Sequence, residues 1–416
     1  MPFRAAVGFA TGGRPFDGRR WPMLAILCTA IVLSMTTWFS ATAVVPELTA
    51  LFQLSSLAVS LLTIAVQVGF VLGAVGSSLV NLPDLAPLHV LMSVAAAGAA
   101  VANATILIAP DASAVILARL VTGVCLAGVY PPAMKLVATW FRTNRGLALG
   151  AVIAAITLGS ALPHLIRASG GVGWATVVGT ASAATLLGAA LIGGVVREGP
   201  FPFQRAVFDP RQIGQALRNR AVLLSSLGYF GHMWELYAMW GWFLAYARDA
   251  LTTQSLASGT TASLLTFAVI AIGSVGCVLA GLLSDRWGRT ATAMAMLASS
   301  GLCALLIGFS FDGPLWLFIA ITLVWGMTVV GDSAQFSAIV TEAGDPRYVG
   351  TALTLQMGLG FMLTVVTIWL LPAIVDSHGG WRWVFLVLVP GPVLGVAAMA
   401  TLRRLPEARR LAGGRR

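Results

Sequence analysis

The sequence predicts an all-α membrane protein in which twelve transmembrane helices form two pseudo-symmetric six-helix bundles. Of its 416 residues, 58% are hydrophobic and 10% are charged, and the mean hydropathy is +0.89. This composition excludes a water-soluble globular chain. Charged residues are separated by apolar runs of about 20 residues, the length that a helix needs to cross the hydrocarbon of a bilayer. Glycine motifs of the first half also recur in the second.

Twelve apolar segments are long enough to cross a membrane as helices. The first six are residues 22–45, 55–80, 87–109, 112–138, 146–167 and 172–195. The second six are residues 221–247, 260–283, 290–310, 314–340, 348–372 and 381–402.

An arginine-rich and proline-containing stretch without a membrane-length apolar run divides the chain. We expect an N-terminal six-helix bundle over residues 1–196, a cytoplasmic linker over 197–220 and a C-terminal six-helix bundle with a basic cytoplasmic tail over 221–416. Gly123 in the fourth segment matches Gly326 in the tenth. A duplicated six-helix unit is the simplest interpretation.

The basic residues predict the orientation, because Lys and Arg are retained on the cytoplasmic side of short loops. With both termini in the cytoplasm, all 25 Lys and Arg residues except Arg119, Arg167, Arg248 and Arg382 fall in cytoplasmic segments. The net charge of +10 therefore reflects membrane topology. We expect a multi-pass protein of the inner (cytoplasmic) membrane that contacts lipids, acts as a monomer and has no nucleic-acid partner.

Enzyme and cofactor motifs are missing from the sequence. The four cysteines, Cys28, Cys125, Cys277 and Cys303, lie in apolar segments without a CxxC pair or a nearby His, so neither a disulfide nor a metal is indicated. A phosphate-binding loop, an HExxH sequence and a nucleophile elbow are also missing. We therefore expect no enzyme activity, no cofactor and no ATP-driven transport.

The seventh segment carries the densest polar chemistry, and helical spacing puts Tyr229, His232, Glu235, Met239 and Trp242 on one stripe. An ionised Glu235 near mid-span is costly unless it faces a polar cavity or a partner. His232, one turn away, could share a proton with it. We expect a proton or substrate station here. The alternative is that Glu235 and His232 only pair with each other at an aromatic helix interface.

Other polar and aromatic side chains could complete a central site. Trp38, Gln67 and Gln356 belong to the first, second and eleventh segments. Asp332 in the tenth segment could pair with Gln335 or line the inner vestibule. Together these side chains are the candidates for lining a substrate cavity.

A charged hairpin, residues 281–289, is expected between the eighth and ninth segments. A glycine permits a positive φ there, and a carboxylate can cap the N-terminus of another helix. Asp285 is expected to face Arg145 and Gly146, while Arg286 or Arg289 pairs with Glu342 or Asp345. The predicted cytoplasmic latch thus comprises Gly281, Asp285, Arg286, Gly288, Arg289 and Glu342.

Twelve segments, two halves, a central linker and this hairpin together resemble the major facilitator superfamily over nearly the whole chain. The hairpin glycines and charges match the loop motif of that family. The corresponding first-half turn, residues 76–84, has Val80 where the aspartate belongs and lacks an arginine. This departure argues against a symmetric pair of latches.

Arg119–Gly123 resembles the fourth-span arginine motif of the family, which is associated with proton coupling in proton-coupled members. The alternative is that Arg119 extends toward the membrane boundary or pairs with Asp111. Residues 130–132 and 232–235 resemble the cyanate and nitroimidazole permease-like branch. That resemblance implies a small anionic solute whose charge Arg119 compensates.

The resemblance implies a proton-coupled secondary active transporter that moves a small solute by alternating access. A multidrug/proton exporter is the alternative, favoured by the aromatic residues of the seventh segment. A non-transporting membrane sensor built on the same fold is a further alternative.

Overall fold

The computed structural model describes residues 18–170, 172–201, 210–256, 259–345 and 347–415, and all regular secondary structure in these ranges is helical. In the first half the helices are α1 (Arg20–Met35), α2 (Val45–Phe52), α3 (Ser56–Leu79), α4 (Leu82–Leu85), α5 (Leu88–Ala104), α6 (Ala112–Leu126), α7 (Tyr130–Ala138), α8 (Arg145–Ala168) and α9 (Trp174–Gly194). The linker and second half contain α10 (Ile213–Leu217), α11 (Arg220–Thr253), α12 (Gly259–Trp287), α13 (Arg289–Leu306), α14 (Leu315–Val329), α15 (Ser333–Ala343), α16 (Val349–His378) and α17 (Pro390–Arg404).

Side-chain caps explain several helix starts. The side chains of Ser55 and Asp111 accept hydrogen bonds from backbone N–H groups in the first turns of α3 and α6. Asn219 does the same for α11. Each cap satisfies a donor that the helix itself leaves unpaired. The predicted segments accordingly begin within a residue or two of these helices.

Ten helical segments of the described chain are long and apolar enough to cross a membrane. The first and seventh predicted segments are not among them. α1 has only 16 residues before the helix breaks, whereas α11 has 34 residues whose polar and aromatic side chains lower its hydropathy. The count of twelve spans therefore stays a prediction.

Both halves contain the same glycine-mediated helix crossing. A Cβ at Gly123 on α6 would lie 2.1 Å from the carbonyl oxygen of Val66 on α3. A Cβ at Gly326 on α14 would lie 1.9 Å from the carbonyl oxygen of Val269 on α12. Only glycine permits such close backbone approach. Both α6 and α14 end three residues later, which supports the predicted duplication.

The predicted charged hairpin is largely helical, so the prediction of a turn over residues 281–289 was wrong. α12 continues through Trp287, and α13 begins at Arg289. A helix keeps its hydrogen bonds in the aqueous layer, so charged residues alone do not end it. Only Gly288 breaks the helix, with φ at +90° and ψ at 163°, a conformation that is essentially restricted to glycine.

The two halves meet where α8 packs against α12 and α3 packs against α16. The predicted linker includes α10, while its residues 202–209 lie outside the described ranges. The predicted domain limits remain predictions.

Candidate functional site

Glu235 is buried on α11, with 1% of its surface exposed, and is bound by neutral donors. The hydroxyl of Ser300 on α13 donates to Oε2 at 2.7 Å. The indole Nε1 of Trp325 on α14 donates to Oε1, also at 2.7 Å. Because neither donor carries a charge, no group bonded to the carboxylate compensates a negative charge on it.

His232 contacts Asp332 and Ser333 at the break between α14 and α15. Its Nδ1 lies 2.7 Å from Oδ1 of Asp332, and both side chains are 1% exposed. The distance is that of an ion pair, although the contact is not aligned with a ring N–H as a hydrogen bond would be. Its Nε2 lies 2.8 Å from the hydroxyl of Ser333. A buried imidazole and a buried carboxylate thus contact each other beside α11.

These partners differ from those expected from the sequence. Glu235 and His232 bind separate groups instead of each other, because side chains one turn apart on α11 point to different neighbouring helices. Asp332 contacts His232 and not the side chain of Gln335. The carboxamide oxygen of Gln335 instead accepts a hydrogen bond from Arg289 at 3.4 Å.

Arg119 on α6 is fully buried and donates only to uncharged acceptors. Its Nη1 donates to the carbonyl oxygen of Thr37 at 2.6 Å, and its Nη2 donates to that of Trp38. Its Nε donates to the carbonyl oxygen of Leu62 on α3 at 3.3 Å. The carbonyls of Thr37 and Trp38 follow the break in α1, where helical N–H partners are missing. The guanidinium thus joins the interrupted first span to α3.

The alternative pairing of Arg119 with Asp111 is wrong. Asp111 caps α6 by accepting from Ala114 N at 2.9 Å and from the hydroxyl of Ser113 at 2.5 Å. Besides its backbone acceptors, Arg119 donates to the hydroxyl of Ser40 at 3.3 Å and to the side-chain amide oxygen of Asn103 at 3.2 Å. Sequence reasoning missed Asn103, although a buried amide within an apolar segment is itself a signal that a polar partner is near.

Six rings from both halves form a cluster at the interface, termed the central aromatic cluster. Trp38 stacks with Tyr237 at 5.8 Å between ring centroids, and Tyr237 lies 5.2 Å from Phe361. Phe361 lies 4.4 Å from Phe70. The cluster consists of Trp38, Phe39, Phe70, Tyr237, Trp240 and Phe361.

Besides Asp332, two predicted cavity residues carry buried polar atoms that form no hydrogen bond with any described residue. Neither the carbonyl oxygen nor the nitrogen of the Gln67 amide has a partner, and the same holds for Nε1 of Trp38. Nε1 of Trp240, which the sequence did not single out, is also unpaired. All three side chains are at most 2% exposed.

The other predicted cavity residues have partners or are packed. Trp242 donates from Nε1 to the carbonyl oxygen of Ile368 at 2.9 Å, and Gln356 accepts from the hydroxyl of Ser226 at 3.1 Å. Met239 is fully buried. Tyr229 packs edge-on against Phe336 at 6.0 Å and lies 5.9 Å from the ring of His232.

The predicted latch residues lie where α12 meets the N-terminus of α8. A Cβ at Gly146 would lie 3.2 Å from Oδ1 of Asp285, and a Cβ at Gly281 would lie 3.4 Å from the carbonyl oxygen of Gly146. The carboxylate of Asp285 therefore faces the positive end of the α8 dipole across the interface.

Arg289 links the latch to α15 of its own half. Its Nη2 lies 2.9 Å from Oε1 of Glu342, and its Nη1 lies 3.8 Å from Oδ1 of Asp285. Arg286 is exposed and pairs with no described residue, while Asp345 pairs with Arg347 at 2.7 Å. Of the two expected arginines, only Arg289 thus has a carboxylate partner in the described chain.

The C-terminal tail also reaches the latch. The backbone N–H of Ala412 donates to Oε2 of Glu342 at 2.9 Å, and Arg415 donates to the carbonyl oxygen of Asp285. Leu411 is fully buried there. The latch end of the C-terminal half is therefore covered by its own tail.

A cavity of about 250 Å³ lies at the opposite end of α8 from the latch. Both halves line it, through residues such as Pro46 and Leu244. Its rim carries Arg248 and the ion pair between Arg167 and Glu47. The interface is thus closed by the latch at one end and indented at the other.

Residues 226–416 match the sequence profile of the Major Facilitator Superfamily. An uncharacterized MFS-type transporter of Bacillus subtilis, YfiU, is 30% identical over 144 residues, which cover 33% of this chain and 27% of that protein. The MFS transporter asaE of Aspergillus flavus is 25% identical over 213 residues, covering 47% of this chain and 45% of that protein. The chain thus spans less than half the length of either relative.

Solved structures share the fold at low identity. The proton:xylose symporter XylE, bound to 6-bromo-6-deoxy-D-glucose, superposes with a TM-score of 0.70 at 16% identity, covering 92% of this chain and 96% of that one. A bacterial homolog of the human lysosomal transporter Spinster, in an inward-facing conformation, gives a TM-score of 0.61 at 15% identity, covering 94% and 95%.

These relatives and structural neighbours are transporters and not enzymes, in agreement with the expectation that this chain is not an enzyme. They give no support to the narrower resemblance to the cyanate and nitroimidazole permease-like branch. The chain has the fold of the major facilitator superfamily, and the match of its C-terminal half supports its assignment to that superfamily of membrane transporters.

Proposed function

We propose that this chain is a secondary active transporter, a monomer of the cytoplasmic membrane that moves a small solute by alternating access and couples it to protons. The observation that carries the proposal is the group of buried ionisable residues on and beside α11. Glu235 is held by neutral donors, and His232 contacts Asp332. An ionised carboxylate is costly inside a membrane, whereas its protonated form is not, and ionisable residues within spans typically mark ion or proton pathways, so we assign proton exchange to them.

Alternating access is supported by the asymmetry of the interface. The latch closes the end at which Asp285 faces Gly146, and the cavity indents the other end. With both termini in the cytoplasm, as the basic residues predict, the latch is cytoplasmic and the cavity faces outward. The latch then stabilises the outward-facing state.

The class of solute separates two versions of this proposal. A small anion, as in the cyanate and nitroimidazole permease-like branch, requires Arg119 to give up some of its neutral acceptors. The central aromatic cluster instead favours an apolar or aromatic solute and keeps a multidrug/proton exporter as the second candidate.

The test is solute flux through the purified full-length chain in proteoliposomes. Radiolabelled small organic anions, inorganic anions and uncharged aromatic solutes are assayed with a pH gradient imposed in either direction. Glu235→Gln should abolish gradient-driven accumulation of a transported solute while sparing counterflow. Asp312→Asn, which removes an exposed carboxylate paired with Arg382, is the matched control and should transport as wild type does.

Three outcomes would contradict parts of this proposal. Accumulation that does not respond to the pH gradient removes proton coupling. Wild-type accumulation by the Glu235→Gln variant removes Glu235 from the mechanism. Failure to move any solute of the panel, with correctly inserted protein, favours the non-transporting sensor.

A further inference from the structure

Two rings of the central aromatic cluster, and Gln67 one turn before Phe70 of that cluster, carry unpaired buried polar atoms. Both polar atoms of Gln67 and the indole nitrogens of Trp38 and Trp240 have no partner among the described residues. An unpaired buried polar group destabilises the folded state, and folded proteins satisfy nearly all such groups. Unpaired groups that persist together at one place indicate that a ligand completes their hydrogen bonding.

Gln67 lies on the face of α3 that meets the cluster. Thr63, one turn before it, is 3.5 Å from where a Cβ of Gly241 on α11 would lie. Phe70, one turn after it, packs 5.2 Å from Trp38 and 4.4 Å from Phe361. Residues three or four apart share a helix face, so the amide of Gln67 lies between α11 and the cluster rings.

The central aromatic cluster itself contains no charged side chain. The six cluster rings and Gln67 are uncharged at neutral pH. Arg119 on α6, which donates to the carbonyl oxygen of Trp38, has each of its nitrogens engaged by neutral acceptors. An anionic solute would have to displace some of these acceptors to pair with Arg119, a cost that an uncharged solute avoids.

We propose that the central aromatic cluster binds an uncharged, planar aromatic or heteroaromatic solute with an amide-like edge. This rests on the proposed function and assigns the solute class of that transporter. The carboxamide oxygen of Gln67 accepts a hydrogen bond from the solute, and its NH₂ group donates one to the solute, as in a pair of amides. Trp38 and Trp240 donate from their indole nitrogens, and Tyr237 and Phe361 stack on the solute.

The two halves must separate slightly to admit the solute. The rings of Trp38 and Tyr237, from opposite halves, are 5.8 Å apart, whereas a planar molecule between two rings needs about 7 Å, twice a van der Waals contact of about 3.5 Å. Opening of the interface on the cavity side widens this gap. Binding is thereby tied to the movement of the halves.

The test is thermal stabilisation of the purified full-length chain in detergent by three probes at equal concentration. Benzamide is planar, uncharged and carries the amide edge. Benzoate has the same shape and a negative charge, and cyclohexanecarboxamide has the amide without the planar ring. Benzamide should stabilise the protein most, and its apparent affinity should exceed that of either analogue by about tenfold, the effect of one unpaired buried polar or charged group.

Variants locate the site. Gln67→Leu and Trp38→Phe should each reduce the affinity for benzamide by about tenfold, because each removes hydrogen-bonding atoms and keeps a side chain of similar bulk. Trp369→Phe, a ring substitution at a side chain that is 54% exposed, is the matched control and should bind as wild type does.

Three results would overturn the proposal. These are no stabilisation by benzamide, stronger stabilisation by benzoate, and unchanged benzamide affinity in both site variants. Because the measurement needs no pH gradient and no flux, its failure leaves proton-coupled transport standing. Conversely, failed transport leaves a positive binding result intact.

Discussion

The two halves of the molecule handle buried charge in opposite ways. In the N-terminal half, the guanidinium of Arg119 is held by carbonyl, hydroxyl and amide oxygens and joins the broken first span to α3. In the C-terminal half, the buried ionisable groups on and beside α11 are the carboxylates of Glu235 and Asp332 and the imidazole of His232.

From this difference we expect a structural role for the buried guanidinium of the first half and a proton-binding role for the buried groups of the second half. A guanidinium stays protonated in proteins, so Arg119 can fix the geometry of its acceptors but cannot exchange a proton. Carboxyl and imidazole groups change charge with proton binding. The first half also buries an imidazole, that of His164 on α8, but among the described residues only the second half buries carboxylates, and it is there that we expect proton binding to act.

Replacing Arg119 is expected to have the largest effect. Arg119→Leu leaves the carbonyl oxygens of Thr37, Trp38 and Leu62 without this donor and should destabilise the protein by about 3 kcal/mol or more. The measurement is thermal unfolding in detergent. Arg347→Leu, at a side chain that is 74% exposed, is the control and should leave the melting temperature unchanged. A similarly small change in Arg119→Leu would refute its structural role.

Breaking the His232–Asp332 contact tests the titrating role of the second half. Asp332→Asn and His232→Gln should each lower gradient-driven flux by about a hundredfold, the lower end of the range for losing a positioned proton-transfer group. Each should also flatten the pH dependence of flux. Equal loss of flux with an unchanged pH profile would mean that the pair only supports the break before α15. Asp312→Asn again serves as the control.

The latch should respond more weakly, because Asp285 is half exposed at a helix N-terminus. Asp285→Asn is expected to shift the ratio of the two states toward the inward-facing one by about fivefold or less, since such a carboxylate contributes about 0.3–1 kcal/mol. Spin-label distances between the latch ends of α8 and α12 measure this ratio. Arg286→Gln, next to it and without a described partner, should leave the distances unchanged. A shift in Arg286→Gln of equal size would point to surface charge instead of the α8 contact.

The surface pair of Asp345 and Arg347 should have the smallest effect. Hydrogen bonds from Arg347 lower the pKa of Asp345 from 3.8 to about 2. The ionised carboxylate therefore stabilises the folded state above its ordinary pKa, and this contribution is lost as the pH falls toward 2. Because the pair is exposed and screened, Asp345→Asn should barely change the melting temperature at neutral pH. A marked drop there would show that the pair supports the linker-side end of α16.

The sequence predicted the helices well because their limits depend on local features. The predicted segment 55–80 became Ser56–Leu79 through its serine cap, and segment 112–138 became two helices with an interruption at residues 127–129. The break after Met35 was missed, since residues 36–41 contain no Gly or Pro to signal it and the interruption is stabilised by Arg119 from another helix.

The candidate site was predicted as a set of residues but not as a set of contacts. Glu235 and His232 stood out because a charge within an apolar segment is rare. Their partners Ser300, Trp325 and Asp332 lie far along the chain. The prediction used helical spacing only, and it therefore paired Glu235 with His232. Trp240 was passed over because it lies off the predicted stripe.

The glycine crossings have a mechanical consequence. A Cβ at Gly69, Gly123, Gly276 or Gly326 would lie only about 2 Å from a backbone oxygen of the facing helix. The backbones of α3 and α6, and those of α12 and α14, are therefore in direct contact, and each pair resists sliding. Where α12 crosses α8, a Cβ of Gly150 would lie 3.1 Å from the carbonyl oxygen of Cys277, and a Cβ of Gly281 would lie 3.4 Å from that of Gly146. The crossing between the halves is therefore about 1 Å looser than the glycine crossings within each half, and we expect the halves to move relative to each other there.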